Sequence, residues 1–136
     1  MKKNMLLWVV QGLLAALFLF AGGMKLVLPI EAMAGPVAFP GWFLRFIGVA
    51  EVLGAAGLVL PGLLRIRTGL TPLAAAGLVI IMSGATAITA ATGPIAASIV
   101  PCVVGVLAAV VAYGRSRTDV ATARPARNLT PLASAR

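Results

Sequence analysis

Three ionisable side chains fall inside long apolar stretches of this 136-residue chain: Lys25, Arg45 and Glu51. Charge is costly in hydrocarbon, so such residues are the first place to look for chemistry. An ammonium and a carboxylate that meet across two helices can lock those helices together, hold a ligand by hydrogen bonds, or relay a proton. Further polar groups share the same stretches. Gln11, Ser83, Thr86, Thr89, Ser98 and Cys102 could line a small cavity beside the pair. The plainer alternative is that the hydroxyls bond their own backbone carbonyls and the thiol only packs. The chain has no histidine and one cysteine. That removes His-ligated haem or zinc, His-based acid–base catalysis, an internal disulfide and a CxxC pair. With no metal cluster and no nucleophile–base constellation, the residues lean away from an enzyme in its own right.

The elements that must position these groups are legible from composition. Apolar residues make up 61% of the chain and charged residues 10%, against roughly 45–50% and about 25% in a soluble domain. Hydrocarbon is the solvent such a surface needs. About 20 apolar residues span a bilayer core, and four stretches qualify: about 5–28, 42–60, 71–91 and 95–113. The first follows Lys2-Lys3 and resembles a signal peptide, but its apolar run exceeds the usual core, which favours a retained span. Pro29 ends it, and Pro61-Gly62 is expected to end the second. Pro72 sits in the first turn of the third, where proline is tolerated, and Pro101 is expected to kink the fourth. The remainder, 114–136, holds Arg115, Arg117, Arg124, Arg127 and Arg136 among small polar residues. It reads as a disordered basic tail.

The net charge of +8 is explained by topology. Lys2, Lys3, Arg65, Arg67 and the tail arginines share one side if the spans number four, and the connections 29–41 and 92–94 carry no Lys or Arg. By the positive-inside rule both termini are cytoplasmic. No basic–aromatic run marks a nucleic-acid groove. Short connections favour an up-down-up-down bundle, an all-α membrane fold.

Glu51 follows Trp42 by nine positions, which places it on the order of 13 Å deep. Lys25 lies about a turn from the outer end of the first span. Helical side chains tilt toward their own N-terminus, so Lys25 leans inward and Glu51 outward, and the spacing predicts an ion pair. Glu51 shares its face with Gly48, Gly54 and Ala55; Lys25 shares its face with Ala21, Gly22 and Phe18, with Gln11 two turns further down. The pair serves equally well as a helix lock or as part of a ligand site. Arg45 and Trp42 read as interfacial anchors, Arg45 by snorkelling. Small residues four apart (Gly12/Ala16, Ala50/Gly54, Ser83/Ala87, Gly105/Ala109) allow close helix approach, although such pairs arise easily in a chain this rich in Ala and Gly.

The stretch Phe18-Leu19-Phe20-Ala21-Gly22-Gly23-Met24-Lys25-Leu26 resembles the first-helix signature of the DoxX-like membrane proteins. Gly48-Val49-Ala50-Glu51-Val52-Leu53-Gly54, followed by Gly57-Leu58 and Pro61, resembles their second helix. The resemblance covers about residues 5–113. It implies a small four-helix protein of the cell (inner) membrane, some of whose relatives serve sulfur, thiol and quinone redox systems, and it singles out Lys25 and Glu51. Two functions follow. The first is an accessory or scaffold subunit, holding a lipophilic ligand such as a quinone near the pair. The alternative is a small oligomeric proton-coupled transporter using Glu51, although pairing makes a carboxylate a poorer proton carrier. Expected partners are membrane lipid and either other proteins or further copies of the chain. No cofactor is evident from the residues alone.

Overall fold

The computed structural model describes residues 2–122. Four α-helices follow one another: α1 Lys2–Val27, α2 Gly41–Leu64, α3 Leu70–Thr92 and α4 Ile95–Thr122. A 3-10 turn at Ile30–Met33 interrupts the first connection, and among the described residues there is no strand. All four helices are long and apolar enough to cross a membrane. Even α3, the shortest at 23 residues, extends about 35 Å against a hydrocarbon core of about 30 Å.

Each helix buries one stripe. On α1 it is Gln11, Leu14, Phe18 and Gly22, spaced three and four apart; on α2 it is Gly48, Glu51, Gly54, Ala55, Leu58 and Pro61. Thr71, Ala75 and Leu78 complete it from α3, and Ala108 and Val111 from α4. Large apolar side chains such as Leu13, Phe20, Leu53, Ile80 and Val106 point outward, as lipid requires. Hydrophobic burial supplies little attraction between helices in lipid, so close packing must hold the bundle. α1 packs chiefly on α2 and α3 chiefly on α4; the two hairpins meet across α2 and α3, and the α1–α4 seam is the thinnest.

Small residues make the approaches close. A Cβ on Gly54 would stand 2.7 Å from Leu78 of α3, and one on Gly57 would stand 2.6 Å from the Ala74 Cβ. Of the four-apart pairs, Gly54 and Gly105 do mark helix contacts, Gly105 facing Met82, whereas Gly12 faces open space.

Two boundaries differ from the sequence reading. Pro61 does not stop α2, which continues to Leu64. Proline lacks an N–H, but in the last turn this frees only the Gly57 carbonyl, and its fixed φ suits a helix. The helix instead stops at Arg65, in the left-handed region at φ 53°, where the N–H groups of Arg65 and Ile66 both return to the Pro61 carbonyl. The second difference is that α4 does not end at Tyr113: its helix takes in residues 114–122 of the expected tail. Extending an established helix costs little, and Arg115 docks on α1 while the Ser116 and Thr118 hydroxyls bond carbonyls one turn back. Residues 123–136, with Arg124, Arg127 and Arg136, lie outside the described residues. Pro101 lies within α4 without ending it.

Candidate functional site: an ion pair at a glycine crossing

α1 and α2 cross where Gly22 meets Gly48. A Cβ on Gly22 would lie 2.7 Å from the Gly48 carbonyl oxygen and 3.0 Å from the Glu51 Cβ; one on Gly48 would lie 3.0 Å from the Gly22 oxygen and 3.0 Å from the Lys25 Cβ. Each charged residue therefore sits over the other helix's glycine. The two residues lie one turn from the crossing on opposite sides of it, and Lys25 Nζ donates to Glu51 Oε2 at 2.8 Å. The opposed tilts of the two side chains bring together groups rooted at different depths.

The two partners differ in access. Glu51 is buried, with 3% of its side chain exposed, while Lys25 exposes 29%. Besides Glu51, Nζ reaches the Ala21 carbonyl at 3.5 Å. An ammonium has three N–H groups, so one has no partner among the described residues.

Arg45 is tied to the same place. Its guanidinium donates to the carbonyls of Lys25 and Leu28, the latter at 2.8 Å. These are carbonyls that the end of α1 leaves without helical donors, and a cation there also complements the helix dipole. Arg45 is thus a cap on the neighbouring helix, a role that the sequence alone, pointing to snorkelling, does not reveal. Trp42 is exposed and sets its ring edge-on to Phe43, centroids 5.9 Å apart.

The remaining polar groups do not join the pair. Ser83, Thr86 and Cys102 do come together, in a groove of about 420 Å³ between α3 and α4 that includes neither Lys25 nor Glu51. The Ser83 and Thr86 hydroxyls donate to the Val79 and Met82 carbonyls one turn back, and Cys102 is exposed. Thr89 lines a different hollow, with the Ile30–Phe39 connection. Ser98 is buried and donates to the Ile95 carbonyl at 2.6 Å. Among the described residues, no three His, Cys, Asp or Glu side chains converge.

Gln11 departs furthest from its expected place in the cavity. It lies toward the opposite end of α1, 1% exposed, and its amide N–H donates to the Leu58 carbonyl of α2. Its amide oxygen accepts from Arg115 Nε on α4. Arg115 also donates to Asn4 at 2.9 Å and stacks 5.1 Å from the Trp8 ring. Three helices are joined through one buried amide, at the end of the thin α1–α4 seam. An amide needs a donor on one side and an acceptor on the other, and only helices brought together supply both. Replacing Arg115 with Met is expected to lower stability by about 1–3 kcal/mol, the cost of a stranded buried acceptor. Thermal unfolding in mild detergent measures this, and Gln11→Leu in the Arg115→Met background should recover part of the loss.

Four membrane-crossing helices with a lysine–carboxylate pair clamped between the first two define the class: a small polytopic membrane protein. The chain belongs to the DoxX-like family, whose model matches residues 9–111. Neither a curated protein nor a solved structure matches it.

Proposed function

We propose that this protein is an accessory subunit of a quinone- or thiol-linked redox complex in the cell (inner) membrane, with both termini cytoplasmic. Its role is to hold a lipophilic carbonyl ligand at Lys25. One observation carries the reading: at the pair the Glu51 side chain is closed off and the Lys25 side chain is partly open, with an N–H to spare. A quinone carbonyl is an acceptor, and what the site offers to lipid is a donor. Glu51 orients the lysine and balances its charge. The same asymmetry argues against the transporter alternative, in which an accessible carboxylate would have to exchange protons. The redox association itself is supported by the family resemblance alone. The orientation is supported by the basic residues of the 65–69 connection lying at the same end of the bundle as Lys2 and Lys3.

The test is titration of a ubiquinone analogue into the reconstituted protein. Lys25→Met/Glu51→Gln removes both charges together and should keep the helices docked while weakening binding about tenfold, the worth of one charge-assisted hydrogen bond. Unchanged quinone binding together with unchanged co-purifying proteins would remove this reading.

A further inference from the structure

The surface between α2 and α3 carries a second feature, independent of the Lys25 site. A groove of about 670 Å³ runs along it, floored by Gly54, Gly57 and Gly77 and walled by side chains such as Leu60 and Leu73. Its floor is low because α2 and α3 close on each other there, Gly54 against Leu78 and Gly57 against Ala74, and because Gly77 puts no side chain into the open space above. From Ala50 to Leu64 it follows about 21 Å of helix. That is close to half of a bilayer of about 40–45 Å counted with its headgroups. The groove is therefore one leaflet long, and it is apolar throughout.

At its end the character changes. Leu64, Ile66 and Leu70 line the mouth, and Arg65 and Arg67 alternate with them on the connection. Both arginines are exposed, and neither guanidinium has a hydrogen-bond or ion-pair partner among the described residues. Both also adopt left-handed backbone, at φ 53° and φ 40°, a region that glycine or asparagine enters with less strain. The other arginines among the described residues are engaged: Arg45 holds carbonyls, Arg115 holds Gln11, and Arg117 lies 4.8 Å from the Tyr113 ring. Two unpaired guanidiniums at the mouth of an apolar slot one leaflet deep match a molecule with a long apolar chain and an anionic head.

We propose that the α2–α3 groove seats an acyl chain of an anionic phospholipid whose phosphate is held by Arg65 and Arg67. Guanidinium forks suit phosphate oxygens. The hydrocarbon chain covers a floor that bulk lipid, moving past larger side chains, would fill less well.

Native mass spectrometry in mild detergent, with an equimolar mixture of phosphatidylglycerol and phosphatidylcholine of identical chains, tests this. Two arginines at a membrane surface should give a preference for phosphatidylglycerol on the order of tenfold. Arg65→Gln/Arg67→Gln should bring the two lipids to parity, while Lys2→Gln/Lys3→Gln should leave the preference in place. A Cβ on Gly77 would have nothing within 4 Å, so Gly77→Leu projects a side chain into the groove and should abolish retention of both lipids. Parity in the unaltered protein, or a preference that survives loss of both arginines, would overturn the proposal. So would a dimer that Gly77→Leu dissociates, since the groove would then be an interface between copies.

Discussion

Replacing Lys25 with methionine is expected to cost about 3–5 kcal/mol of bundle stability, the penalty for stranding a buried charge. Glu51 would keep its place against α1, 2% exposed, with no cation to meet it. Arg45 cannot step in: it lies six residues earlier on the same helix, on a different face, and its guanidinium is committed to the Lys25 and Leu28 carbonyls. An ordinary hydrogen bond between membrane helices averages only about 0.6 kcal/mol, so a loss several times larger would identify the charge, not the contact, as the cause. Glu51→Gln should cost less, because Lys25 is already partly open to its surroundings. The double replacement Lys25→Met/Glu51→Gln should be milder than Lys25→Met alone. Thermal unfolding of all three variants in the same detergent gives the coupling energy directly. If the single and double variants unfold at the same temperature as the parent, the pair contributes nothing to docking.

The second large effect belongs to the glycine beneath the pair. Gly22→Leu should leave little folded protein in the membrane. Its Cβ alone would come within 2.7 Å of the Gly48 carbonyl oxygen, and a backbone atom cannot rotate aside as a side chain can. The helices would have to separate, and separation also pulls Lys25 from Glu51. Even Gly22→Ala is expected to cost about 1–3 kcal/mol by overpacking. Gly23, the next residue, has nothing within 4 Å of its would-be Cβ. Gly23→Ala should therefore be neutral or slightly stabilising, by up to about 1 kcal/mol through helix propensity. Yield after membrane extraction and melting temperature separate the two positions. Equal tolerance at Gly22 and Gly23 would mean that this crossing is not where the helices touch.

The four spans were readable from sequence because hydrocarbon imposes a length and a composition on any helix that crosses it. The Lys25–Glu51 pair was readable for a related reason: so few charges enter the spans that each has few partners to choose from. Gly48, Gly54 and Ala55 on the Glu51 face were likewise foreseeable, since a buried carboxylate needs a neighbouring helix close by. Arg45 and Arg115 were not. Their partners are backbone carbonyls and neutral amides, which leave no mark in the sequence of the other helix. For Gln11 the sequence points to the cavity and not to Leu58 and Arg115, because helical phase gives the face of a residue without saying which helix covers it. The sequence points to Pro61 as the end of α2 because a proline there costs a helical hydrogen bond, yet the helix runs on to Leu64.

Lys25 is gripped by α2 at two points, its ammonium by Glu51 and its carbonyl by Arg45. Both grips depend on angular phase, and each inserted residue turns a helix by about 100°. The segments from Gly22 to Leu28 and from Arg45 to Glu51 therefore admit no change in length. The connection between them carries no such constraint of phase, so a residue inserted there should leave both grips in place.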